Sequence, residues 1–131
     1  MKAAVYYGAR DIRFHCDEPA GGPVHAVPGE LFDGVADNLI ENALGKRAQD
    51  RALQMMVAFS PADGGRVTVC DTGVPVAPGV AAQLFNAPVA SGAGLGVGLY
   101  HAARHAEQLG YTLALRANEH GRVCFELARD G

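Results

Sequence analysis

From Glu30 to Arg47 the chain reads ELFDGVADNLIENALGKR, and its apolar residues return with the period of a helix. Leu31, Val35, Leu39 and Ala43 share one side, and Asp33, Asp37 and Glu41 lie on others. The 131 residues, 49% hydrophobic and 19% charged, suffice for one core to cover that side and fall short of two ordinary domains. On the same helix Asn38, Asn42 and Lys46 are spaced i, i+4, i+8, so they form a line beside the apolar stripe. A buried amide without a partner costs roughly 1–3 kcal/mol, so aligned asparagines imply either internal hydrogen bonds or a wet ligand cavity.

The remaining chain alternates strands and loops around two helices. Residues 3–7 and 11–16 each suit a short strand, and EPAGGPVHAVPGE after them is a loop. LQMMVAFS (53–60) and RVTVC (66–70), joined by PADGG, form a predicted hairpin running into Asp71. Residues 72–98 hold six glycines and three prolines, which predicts a loop with one short helix near Ala81–Phe85. A second helix is expected over Leu99–Leu109, and YTLALRA and RVCFELAR around the turn NEHG make a closing hairpin. This order predicts an α+β fold, one sheet with its helices on one face.

Composition excludes several classes of function. A net charge of −3, a pI near 5.9 and no Lys/Arg run argue against a nucleic acid or anionic membrane as partner. Apolar runs are broken well short of the roughly 18 residues of a membrane span, and no signal-peptide pattern opens the chain. Cys16, Cys70 and Cys124 form no CxxC pair and suggest neither a zinc ribbon nor a disulfide framework, so reduced thiols in a cytoplasm are expected. His101 and His105 have the i, i+4 spacing of metal ligands, but without a third ligand a solvated helix face is the expectation.

Two further segments carry possible chemistry. Asp71-Thr72-Gly73 ends a hydrophobic strand, where a carboxylate either caps an Asx turn or accepts a hydrogen bond from a ligand amine. Ser91-Gly92-Ala93-Gly94-Leu95-Gly96-Val97-Gly98 leads into a helix, so it is either a hinge or a cradle whose free N–H groups and helix dipole attract phosphate. It matches neither the P-loop nor the dinucleotide fingerprint.

Together and in order, NLIENALGKR, VCDTG, LFNAPV and GAGLGVGLY resemble the four nucleotide-binding boxes of the histidine kinase catalytic domain. That domain belongs to the ATPase superfamily of gyrase, heat-shock protein 90 and MutL, and the resemblance covers roughly residues 29–127. It implies a Bergerat-type fold, a two-layer α/β sandwich with a mixed, mostly antiparallel sheet, over residues 11–131, residues 1–10 being an extension or added start. It also implies ATP and Mg²⁺ as cofactors. By this resemblance Asn42 coordinates the Mg²⁺, and Asn38 stands where hydrolysing relatives carry a glutamate that activates water. Asp71 accepts the adenine amino group, and Gly73 lets the base lie against the backbone. Leu84 and Phe85 match the lid-anchoring box, and Gly92, Gly94, Leu95 and Gly96 the phosphate cradle.

The sequence departs from the family pattern in three places. Pro75 replaces the second glycine of D-x-G-x-G, Gly45 stands where a basic residue is usual, so that Lys46 or Arg47 after it could reach a phosphate and Lys46 is named, and the lid is short. None of the five histidines has the context of a phosphoacceptor, which in this family sits on a dimerising helical hairpin. The resemblance therefore implies a kinase catalytic domain that uses Asn38 and Lys46 in phosphoryl transfer to a histidine on a separate dimerisation domain. A response regulator acts downstream, and the segment is cytoplasmic without membrane contact of its own. The alternative is a non-catalytic or anti-sigma-type regulatory module of the same superfamily. The first thirteen residues also resemble the opening strand of zinc-dependent alcohol dehydrogenases, but no zinc-ligand set follows and no dehydrogenase is expected.

Overall fold

The computed structural model describes residues 12–16, 28–47, 49–81, 85 and 95–130. The strand expected at 3–7 and the residues Leu84, Gly92 and Gly94 lie outside them. Five strands, β1 (Ile12–Cys16), β2 (Met55–Ser60), β3 (Arg66–Asp71), β4 (Tyr111–Glu119) and β5 (Arg122–Arg129), form one sheet. The helices are α1 (Gly29–Arg47), the short α2 (Pro78–Ala81) and α3 (Leu95–Gln108).

Sheet order is β1-β2-β3-β5-β4, with β1 parallel to β2 and every other pair antiparallel. Period-two alternation divides its faces. Val57, Val67, Val69, Val123, Phe125 and Leu127 are buried under α1 and α3, whereas Met56 is 46% exposed on the other face. The architecture is the expected α+β sandwich with helices on one face.

Helix α1 lies against β3, β5 and α3 and buries Leu31, Phe32, Val35, Ala36, Leu39, Ile40 and Ala43. Phe32 meets Phe59 and Tyr111 edge to face at 5.8 and 5.5 Å, which fixes the helix axially on the sheet. Glu30 in the first turn and Lys46 and Arg47 in the last complement the helix dipole. Among the described residues no helix is long and apolar enough to cross a membrane.

Three expectations change. The short helix is Pro78–Ala81 rather than Ala81–Phe85, since Pro78 supplies a ready first helical position. Helix α3 begins at Leu95, four residues earlier than the glycines suggested, because one of them, Gly98, packs directly against α1. The expectation of reduced thiols fails for two cysteines. Cys70 and Cys124 are register partners on β3 and β5, their Cα atoms are 4.1 Å apart, and they are disulfide-bonded. That separation marks the closely spaced kind of antiparallel pair, in which facing side chains come nearest.

Candidate nucleotide site

The line of polar residues on α1 forms the floor of the site. Eight residues separate Asn38 from Lys46, a rise of roughly 12 Å. At one end the Asn38 amide donates to Gly34 O (3.1 Å), and its Oδ1 lies against α3 so closely that a Cβ on Gly98 would sit 2.5 Å away. A side chain at 98 would therefore displace the Asn38 amide, and Asn38 faces the start of α3. A cleft of about 360 Å³ opens there between the helices, lined by Gly34, Asn38, Gly98 and His101. Asn42, half-buried, occupies the middle of the line.

At the other end lies Asp71, 7% exposed and the single buried polar residue among those described. Lys46 Nζ donates to both its carboxylate oxygens at 3.2 Å and to Val74 O at 3.0 Å. The Gly73 N–H donates to Oδ1 at 2.8 Å. A strand-end acid is thus held in one orientation by a cation and a backbone N–H, the latter bond being the expected Asx turn. Lys46, expected at a phosphate, instead covers the acid.

The turn after Asp71 is held by contacts that sequence reasoning missed. Asn118 on β4 clamps Val76 from both sides: the Val76 N–H donates to Oδ1 (2.7 Å), and Nδ2 donates to Val76 O (2.9 Å). The Gly121 N–H donates to Gly73 O (3.0 Å), and Thr72 exchanges two hydrogen bonds with Gln54. No periodicity or motif links positions 42 residues apart, so nothing in the sequence pointed to Asn118. These bonds use the groups on either side of Pro75, so a proline there forfeits none of them.

Gly73 is sterically required. A Cβ would lie 2.8 Å from Leu53 Cδ1, 3.0 Å from Asp71 Oδ1 and 3.2 Å from Lys46 Cδ. Gly73→Ala should therefore lower stability by about 1–3 kcal/mol in urea titration, as overpacking does, and displace the carboxylate. An unchanged unfolding midpoint would contradict this geometry.

Phe85 is anchored to the core. Its ring meets Phe125 edge to face at 6.3 Å, and its carbonyl accepts a bond from Arg104 Nη2 (3.1 Å). Leu95 and Gly96 lie in the first turn of α3, where backbone N–H groups have no partner within the helix and the dipole favours an anion. His101 and His105 are exposed, as a solvated face requires.

Among the described residues no three His, Cys, Asp or Glu side chains cluster to hold a metal ion. Asn42 itself offers an amide oxygen, a donor that suits a hard cation taking its other ligands from phosphates and water.

The comparisons with known proteins give the family and the fold. The family model described as Histidine kinase-, DNA gyrase B-, and HSP90-like ATPase matches residues 30–130. No curated protein matches in sequence. The nucleotide-free catalytic domain of histidine kinase ThkA has a similar structure, with TM-score 0.73 and 19% identity over 99% of this chain and 91% of that one. Full-length ShkA in complex with AMPPNP gives 0.72 and 23% over 96% of this chain and 28% of that one. The mycobacterial sensor histidine kinase MprB gives 0.65 and 15%, over 96% and 89%. At these identities the structural likenesses establish the fold.

Proposed function

The chain belongs to the histidine kinase-, DNA gyrase B- and HSP90-like ATPase family, and we propose that within it this domain is the ATP-binding catalytic domain of a two-component sensor histidine kinase. It takes Mg-ATP and passes the γ-phosphoryl group to a histidine on a separate dimerisation domain, upstream of a response regulator. The cytoplasm, where ATP is available, is its proposed location.

One observation carries the reading: the Asn38–Asn42–Lys46 line joins Asp71 at one end to the start of α3 at the other. Asp71 accepts the adenine amino group, with Gly73 giving the base access to the backbone. Phe85 anchors the lid. Gly92, Gly94, Leu95 and Gly96 offer N–H groups to the phosphates, and Asn42 contributes an amide oxygen to the metal. When bound, Mg²⁺ offsets phosphate charge and orients the transferring group. Asn38 is an amide and cannot act as a general base, so water beside the γ-phosphate is left unactivated, as suits an enzyme whose acceptor is an imidazole.

Lys46 must leave Asp71 for adenine to enter, and once free it can reach a phosphate. This ion pair also favours the second reading, a regulatory module of the same family that does not transfer phosphate, because it closes the acid to ligand. Lys46→Met separates the two roles. Adenosine, which has no phosphate, should bind up to about fivefold tighter once the competitor is gone, since such a partly exposed pair contributes about 0.2–1 kcal/mol. ATP should not gain. Equal gains for both ligands would deny Lys46 a phosphate role.

The central experiment is calorimetric titration of ATP with and without Mg²⁺. Saturable binding strengthened by Mg²⁺, with that strengthening lost in Asn42→Ala, is the expected result. A folded wild-type chain that binds no ATP would overturn the reading.

A further inference from the structure

The sheet face opposite the helices carries a row of register partners on which nothing in the nucleotide reading draws. From the β1 edge inward it runs Arg13, Met56, Cys70, Cys124 and Ala117. Cys70 and Cys124 are joined. A shallow cavity of about 340 Å³ lies over the bond, lined by Arg13, Arg122, Met56 and Thr72, and also by Asp71, whose charge Lys46 already meets. Both arginines are exposed.

We propose that this cavity is a thiol–disulfide exchange site for a small, carboxylate-bearing thiol. The two sulfurs differ in access. Both cysteines line the cavity, but Cys124 is 5% exposed whereas Cys70 is half-buried. Displacement at sulfur proceeds in line with the bond that breaks, so a thiolate attacking Cys70 Sγ approaches from the side away from Cys124. In the row that is the Met56 side, and Arg13 lies one strand further along the same path. A thiol that carries carboxylates would meet a guanidinium there, and the electropositive flank favours its thiolate.

The chemistry balances in two steps. The thiolate forms a bond to Cys70 Sγ as the Cys70–Cys124 bond breaks, and Cys124 leaves as a thiolate that takes a proton from water. A second thiolate then attacks the small-molecule sulfur of the mixed disulfide and releases Cys70 thiolate with the oxidised, dimeric small thiol. Two electrons pass to the protein disulfide from two thiolates, and the reverse sequence re-forms it. The bond that opens lies one residue from Asp71, whose own register partner Val123 precedes Cys124. Reduction therefore removes a covalent tie between β3 and β5 one residue from the acid.

The test uses the full chain with Cys16→Ser, reduced and freed of reductant, then exposed to oxidised glutathione or to the uncharged hydroxyethyl disulfide. Alkylation quench and peptide mass mapping should find a transient glutathione adduct at Cys70 that resolves to the Cys70–Cys124 bond, and a persistent one when Cys124→Ser is added. Oxidised glutathione should react about fivefold faster than the uncharged disulfide, an advantage that Arg13→Ala and high salt both abolish. Adducts confined to Cys124, no exchange, or equal rates for the two disulfides would overturn the proposal. The link to Asp71 rests on the nucleotide reading and is read separately: ATP affinity should fall about threefold on reduction. Exchange at Cys70 in a chain that binds ATP in neither state would leave the exchange site standing and remove the nucleotide reading.

Discussion

Asp71→Asn is expected to weaken both ATP and adenosine roughly ten- to hundredfold while leaving the chain folded. The substitution preserves size, and an amide oxygen in the Oδ1 position still accepts the Gly73 N–H now bonded at 2.8 Å. It removes the charge that Lys46 meets at 3.2 Å and places a donor where the adenine amino group would also donate. A hydrogen bond to a charged acceptor contributes about 1.5–3 kcal/mol, and each 1.4 kcal/mol is tenfold in affinity. The pattern of loss identifies the role. An acid that reads the base affects adenosine as much as ATP, whereas Asn42→Ala should affect only ligands carrying phosphate and Mg²⁺. Calorimetry on the four combinations, with thermal unfolding as the check on folding, distinguishes them. Wild-type ATP affinity in Asp71→Asn would remove Asp71 from the site.

The parts of this site that could be read from sequence are those whose geometry is local. Helical spacing alone aligned Asn38, Asn42 and Lys46, and the strand running into Asp71 placed a carboxylate at a turn. What the chain does with those groups depended on contacts between distant elements. Lys46 reaches Asp71 across 25 residues because α1 packs on β3, Asn118 reaches Val76 across 42, and β5 inserts between β3 and β4. That insertion also pairs Cys70 with Cys124, which the absence of a CxxC spacing made look unconnected. The early start of α3 has a similar origin. Glycines discourage a helix when counted locally, yet a larger residue at 98 would push the Asn38 amide from its place. Local propensity gave way to packing at the one point where two helices must approach to form the site.

The disulfide should make the largest contribution of any single bond to stability. It closes a loop of 54 residues, and in the chain-entropy model a crosslink of that span stabilises by about 4 kcal/mol, chiefly by restricting the unfolded chain. For a domain of this size that corresponds to a fall of about 10–20 °C in Tm on reduction. The hydrogen-bonded ladder between β3 and β5 and the core beneath it do not depend on the sulfurs, so the reduced protein should still unfold cooperatively. Thermal unfolding followed by circular dichroism, with and without dithiothreitol, measures the shift. The Cys70→Ser/Cys124→Ser double variant should match the reduced wild type and no longer respond to dithiothreitol. A Tm unchanged by reduction in the wild type would mean that the bond does not persist in solution, and the exchange site on the open face would fall with it.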